Sequence, residues 1–208
     1  MKKTQVLLIA VIVAIGVVVA AVALLTGGGP DPAQFEHLKQ PQVRMMADQK
    51  VLVVEAQGDP TAVGGEAFSL LFKTYFKLKG VPKNPKGLAP RARWPLSLDT
   101  PKEQWVGRYA MPVPESVGPL PQQAAGPSGL HAELATWQYG EVAEILHVGP
   151  YDQEESTIRR LMDFIKDGGY AIVGEHEEEY IKGPGVFSRG NPAKYLTIIR
   201  YRVAKARQ

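Results

Sequence analysis

The segment Glu175-His176-Glu177-Glu178-Glu179-Tyr180-Ile181 concentrates the residue types most able to do chemistry in this chain: carboxylic acids, an imidazole and a phenol. It follows the apolar run Tyr170-Ala171-Ile172-Val173 and ends at Gly183-Pro184-Gly185, which predicts one β-strand over residues 170 to 181 closed by a turn. Successive side chains of a strand point to opposite faces. Tyr170, Ile172, Gly174, His176, Glu178 and Tyr180 then share one face, and Ala171, Val173, Glu175, Glu177, Glu179 and Ile181 the other. Glu178 stands apart from the other glutamates among aromatic and aliphatic neighbours, where a carboxylate either carries a desolvation cost or meets a cation. A second reading makes the acidic row a solvated strand edge. A single bulge would exchange the two faces.

Tyr180 shares the face of Glu178 and is placed either to stack on a cation and donate a hydrogen bond or to sit in the core. His176 and Glu178, two residues apart on a strand, could touch one metal ion. A metal site needs three or four ligands, the sequence offers no third, and neither a metal nor a cofactor is expected. There is no cysteine, which removes thiolate catalysis and disulfides. Nucleophilic serine motifs and phosphate-binding loops are also lacking.

The elements that position these residues form two similar halves. Val51-Leu52-Val53-Val54-Glu55-Ala56-Gln57-Gly58-Asp59-Pro60 aligns with Val142-Ala143-Glu144-Ile145-Leu146-His147-Val148-Gly149-Pro150-Tyr151, each a strand running into a glycine and proline turn. A helix follows in each half, marked by Phe68, Leu71, Phe72 and Tyr75 in the first and by Ile158, Leu161, Met162 and Ile165 in the second. Asp152 with Glu155 three residues on predicts an N-terminal cap for the second helix, and Gly168-Gly169 its end. Two more strands close each half. Trp105-Val106-Gly107-Arg108-Tyr109-Ala110-Met111-Pro112-Val113 aligns with Tyr195-Leu196-Thr197-Ile198-Ile199-Arg200-Tyr201-Arg202-Val203. Trp105 and Tyr109 share a face of the first closing strand, and Tyr195 and Tyr201 a face of the second. Such aromatics are core or groove lining, and Trp94 and Trp137 are in the same position. The strand near Arg93 to Leu98 contains Pro95, which predicts that it is short, bulged or at an edge. The expectation is an α+β domain over 41–208, with repeat one at 41–113, a Pro- and Gly-rich connector at 114–130 and repeat two at 131–204.

Residues 1–30 are of another kind. Val6 to Leu25 carries no charge, and at 1.5 Å per residue a helix of that length spans about 30 Å, the thickness of a bilayer core. Lys2 and Lys3 on its flank place that end in the cytoplasm and the remainder outside. A cleaved signal peptide ending at Ala21-Val22-Ala23 is the competing reading, and both export the domain. Residues 31–40 then form a tether. The formal net charge is +3. With Lys2 and Lys3 set aside, the rest is close to neutral, which argues against a nucleic-acid partner.

The sequence His147-Val148-Gly149-Pro150-Tyr151-Asp152, followed by a helix and then Glu178-Glu179-Tyr180-Ile181, resembles the GyrI-like small-molecule-binding domain, the effector-binding domain of multidrug-sensing transcription regulators. The resemblance extends over about residues 41 to 204. It implies two strand-helix-strand-strand units related by a pseudo-twofold axis, an antiparallel sheet with two helices, and a central ligand groove faced by a glutamate that corresponds to Glu178. Related folds include haem binders, but His147 reads as structural. The chain departs from the regulators in having no room for a DNA-binding helix-turn-helix and an export anchor in its place. The resemblance implies ligand binding, with Glu178, Tyr180, His176, Trp105, Tyr109 and Tyr195 as the candidate contacts for a lipophilic or cationic amphipathic small molecule. Its alternative is hydrolysis of reactive small molecules, with Glu178 and Tyr180 as acid-base groups. No protein partner is identified.

Overall fold

The computed structural model of the chain describes residues 31–82, 89–94, 100–120, 129–183 and 191–206. The expected membrane segment Val6 to Leu25, the stretch from Pro95 to Leu98 and the turn beyond Gly183 lie outside them. Among the described residues no helix is long and apolar enough to cross a membrane.

The elements run β1 (Gln42–Met46), β2 (Gln49–Gln57), α1 (Pro60–Tyr75), β3 (Arg91–Trp94), β4 (Val106–Pro112), β5 (Ala132–Trp137), β6 (Gly140–Val148), α2 (Glu155–Asp167), β7 (Tyr170–Lys182) and β8 (Leu196–Lys205). All eight strands join one sheet in the order β1-β6-β8-β7-β3-β4-β2-β5, with every pairing antiparallel. The order reads as two matching halves about the β7–β3 seam: β2-α1-β3-β4 on one side and β6-α2-β7-β8 on the other. This is the α+β architecture of tandem strand-helix-strand-strand units that the sequence predicts. Two further strands, β1 and β5, were not foreseen. Each opens one repeat in sequence but pairs with the other, β1 with β6 and β5 with β2. At the bends the Tyr139 N–H donates to Asp48 Oδ1 at 3.0 Å.

Helix α1 begins with Pro60, whose missing N–H costs nothing in a first turn. Its stripe Phe68, Leu71, Phe72 and Tyr75 is buried as expected. In α2, Ile158, Leu161 and Ile165 are buried, but Met162 is 47 % exposed. One step from Leu161 turns it about 100° off the buried stripe. Asp152 does not cap α2. It lies in a 3-10 turn, Tyr151–Gln153, whose own i to i+3 bonds occupy the chain, and the cap position is Glu154 with no side-chain bond. Only Gly169 takes the left-handed geometry, at φ +69°; Gly168 stays right-handed.

Strand β3 is central rather than at an edge. Helix α1 lies over β2, β4 and β5, and α2 over β6 and β7, so both cover one face of the sheet. The other face curls inward. Val51 and Val53 of β2 meet Trp137, Tyr139 and Val142 of β6 in one cluster although β2 and β6 are far apart in the sheet order. Residues 31–40, expected as a tether, include a 3-10 helix, Pro32–Lys39, that buries Leu38 against Leu146, Ile181, Leu196 and Ile198 on this inner face.

Candidate ligand-binding site

Strand β7 divides the chemistry of the molecule. A bulge interrupts it: Ile172 pairs with Val203 and His176 with Tyr201, so four steps along β7 match two along β8. The insertion is even, and the alternation keeps its phase. His176, Glu178 and Tyr180 face the helices, while Glu175, Glu177 and Glu179 face the inner side, as the sequence reading has it. The solvated-edge reading fails, because β7 lies inside the sheet between β8 and β3.

On the helix face the Tyr180 hydroxyl donates to Glu178 Oε2 at 2.6 Å, and His176 Nε2 lies 2.9 Å from Glu178 Oε1. His176 Nδ1 is 2.8 Å from the Tyr201 hydroxyl. The Tyr180 ring stands between Phe68 of α1 and Tyr151 ahead of α2, with centroids 6.3 and 5.8 Å away. Tyr151 in turn packs on Tyr195 at 5.3 Å. Tyr109 lies on the same rung of the sheet as Glu178, with Ala92 between them. It packs against Phe68 and Trp94, and Trp94 against Trp105, whose indole N–H donates to Thr100 O. Its hydroxyl fits a notch of two glycines: a Cβ at Gly107 would come within 2.7 Å of it, and one at Gly64 of α1 within 3.1 Å. The structure thus places all six sequence-predicted residues on the helix-covered face. His176, Glu178 and Tyr180 are joined directly by hydrogen bonds, Tyr109 and Tyr195 through the aromatic layer, and Trp105 only at its far end.

A second carboxyl joins Glu178. Glu154, at the start of α2, is 3 % exposed, and burial followed by the nearby charge of Glu178 holds its pKa well above the ordinary carboxylate range. Glu154 Oε1 and the hydroxyls of Tyr109 and Tyr151 are buried without a hydrogen-bond partner among the described residues. Burial, with Glu178 contributing, also raises the pKa of Tyr109, Tyr151, Tyr180 and Tyr201. No lysine or arginine forms an ion pair with Glu178 or Glu154 among the described residues. Sequence reasoning missed Glu154, because a carboxylate at a helix start reads as a solvated first-turn charge.

His147 is structural. Its Nε2 is 3.1 Å from the Pro150 carbonyl, which only accepts, so Nε2 carries the hydrogen and Nδ1 accepts from the Thr157 hydroxyl at 3.0 Å. Burial lowers its pKa, in keeping with a neutral ring that braces the Gly149-Pro150-Tyr151 turn.

The inner face is electrostatically the reverse. Arg200, 1 % exposed, donates through Nε and Nη2 to Glu144 Oε2 and through Nη1 to Glu177 Oε1 and Glu179 Oε2, all at 2.8 to 3.0 Å. Arg93 pairs with Glu177, Arg91 with Glu179, Arg44 with Glu144, and Arg108 with both Glu55 and Glu175. The Tyr139 hydroxyl accepts from Arg91 and donates to Glu177. Burial pushes the Glu144 and Glu179 pKa values up, but the arginines more than offset it and both lie below the ordinary range. A cavity of about 600 Å³ opens on this face and does not include Glu178.

No protein-family model and no curated protein sequence matches the chain. Solved structures do. A hydrolase from Listeria innocua superimposes with a TM-score of 0.60 at 17% identity, over 85% of this chain and 100% of that one. The shared property is the fold. An uncharacterized conserved protein from Listeria innocua gives 0.62 at 16% identity, with the same coverage of 85% and 100%. The C-terminal domain of EcmrR gives 0.55 at 15% identity, over 80% of this chain and 98% of that one. The α+β architecture derived above is therefore one that recurs among proteins of very different sequence.

Proposed function

We propose that the chain is a membrane-anchored, extracytoplasmic small-molecule-binding protein whose ligand is lipophilic or cationic and amphipathic, held by its positive group at Glu178. The anchoring part rests on the uncharged segment Val6 to Leu25 with Lys2 and Lys3 beside it. The binding part rests on one observation: beneath the helices, Glu178 and Glu154 lie among aromatic rings with no lysine or arginine paired to them among the described residues, Glu178 having only the His176 imidazole and the Tyr180 phenol, whereas the inner-face glutamates of the same strand are each paired with arginine. A delocalised cation supplies what the helix face lacks, stacking on tyrosine rings while it neutralises the carboxyls. Glu178 is only 9 % exposed, so a ligand reaches its carboxylate only when the side chains around it move.

The test uses the full chain with tetraphenylphosphonium and neutral triphenylphosphine oxide, read by tryptophan fluorescence and melting temperature. A ligand present at a hundred times its Kd adds about 2.7 kcal/mol to stability. The cation is expected to bind at least tenfold more tightly than the neutral analogue, and Glu178→Gln to remove that preference. Equal binding of both compounds, or an unchanged preference in the variant, sinks the proposal.

The 2.6 Å hydrogen bond between Tyr180 and Glu178 also favours a second reading, hydrolysis of a reactive small molecule with this pair as acid-base groups. The two readings separate when substrates that carry an electrophilic ring are offered. Turnover lost in Glu178→Gln with binding retained supports the enzyme, and binding without turnover in the native chain removes it.

A further inference from the structure

We propose that the inner-face cavity is a second binding site, for a small organic carboxylate with a flat apolar body. The bulge of β7 builds it. Val173, Gly174 and Glu175 together oppose the single residue Arg202 of β8, and a Cβ at Gly174 would stand 2.6 Å from that of Arg202, so glycine alone lets the bulge close against the arginine. Around the mouth lie Arg93, Arg108, Arg202, Trp137 and Val173. The Arg93 guanidinium stacks on the Trp137 ring at 4.0 Å, and Val173 is 46 % exposed.

Charge pairing singles out Arg202. On the inner face Arg44, Arg91, Arg93, Arg108 and Arg200 are each paired with a glutamate, and each glutamate of the cavity wall has an arginine, Glu177 meeting Arg93 and Arg200 and Glu175 meeting Arg108 through Oε1 while its Oε2 is buried without a partner among the described residues. Arg202 makes no ion pair among the described residues; its hydrogen bond runs from Nη2 to the Val173 carbonyl at 3.0 Å. A guanidinium in the cavity lining with no carboxylate partner among the described residues suits a carboxylate. Val173, Ile172 and the Trp137 ring with Arg93 stacked on it give the lining apolar and flat surface for the body of such a ligand. This site is independent of Glu178, which lies on the opposite face of β7.

The test titrates the full chain with 1-naphthoate, 1-naphthalenemethanol and 1-naphthylmethylammonium by calorimetry. Naphthoate is expected to bind below 1 mM, at least tenfold more tightly than the other two compounds, since every tenfold is about 1.4 kcal/mol. Arg202→Gln is expected to weaken naphthoate at least tenfold and Arg202→Lys less, while Glu178→Gln leaves it unchanged. Melting curves of the variants separate loss of the site from loss of the fold. Absence of naphthoate binding, equal binding of the alcohol, an Arg202→Gln variant that melts like the native chain and binds as tightly, or loss of binding in Glu178→Gln overturns the proposal.

Discussion

Glu177, Glu178 and Glu179 are neighbours on one strand and live in opposite surroundings. The outer two point to a face where Arg91, Arg93 and Arg200 meet them at 2.7 to 3.4 Å. Glu178 points to a face where His176 and Tyr180 are its partners and the nearest second acid, Glu154, is itself buried. The inner-face network pairs Glu175, Glu177 and Glu179 with arginine, leaving Arg91 Nε and Glu175 Oε2 as buried atoms without a partner among the described residues, and removing one member leaves the others uncompensated in the low dielectric. On the helix face Glu178 has only an imidazole and a phenol as partners, and no arginine or lysine pairs with it among the described residues.

The largest expected effect breaks the paired face. Arg200→Met strips Glu144, Glu177 and Glu179 of their shared partner and should cost about 3–5 kcal/mol, the scale measured when one partner of a buried pair is removed. Calorimetry should show the melting temperature falling by roughly 10 °C for a domain of this size. A loss below about 1 kcal/mol would mean that the network is solvated and that the two faces are less different than the geometry says. Tyr180→Phe probes the other side. It removes the donor to Glu178 Oε2 at an expected cost of about 1–3 kcal/mol, and the cation preference of the Glu178 site should change with it.

Glu154→Gln should instead stabilise, on the order of 1 kcal/mol, the scale of a buried polar group relieved of its desolvation. The pH dependence sharpens the contrast. The folded-state pKa of Glu154 is raised above its unfolded value, so the native chain loses stability as pH rises from about 4.3 toward the raised value, and the advantage of the glutamine variant should grow over that window and vanish at lower pH. Glu144 and Glu179 have lowered pKa values, so their contribution is present above the ordinary carboxylate range and is lost as pH falls below it through the lowered folded values. Melting curves from pH 3 to pH 8 should therefore show the inner face failing on the acid side while the Glu154 penalty appears on the neutral side. The smallest effect lies outside both faces. Arg159→Ala removes the exposed pair with Glu155 on α2 and should cost about 0.3–0.5 kcal/mol, setting a floor for what a solvated ion pair contributes here.

Much of the frame was legible in the chain because it rests on local periodicity. The two-residue alternation of Tyr170 to Ile181 assigned Glu178, His176 and Tyr180 to one face, and the stripe from Phe68 to Tyr75 marked the buried side of α1. Internal similarity gave the paired units. What escaped was non-local. Gln42–Met46 and Ala132–Trp137 are too short and polar to read as strands, and they become strands only by pairing with the opposite repeat. Asp152 followed the spacing of a cap, but the 3-10 turn at Tyr151 satisfied the backbone first. Glu154 looks like any acid at a helix start until Tyr151, Tyr180 and Thr197 close around it.

Which side chains of β7 share a face from Ile172 to Tyr180 follows from the chain alone, because a strand's period of two holds across an even bulge. The tertiary structure alone decided which of those sets would be neutralised. Arg200 lies 56 positions from Glu144 and 23 from Glu177, and only the sheet order, with β8 between β6 and β7, sets all three on one face. The packing of both helices against the other face shut the remaining glutamate in with aromatic rings. Charge compensation depends on distances of a few ångströms between residues far apart in the chain, and the folded sheet is what fixes them.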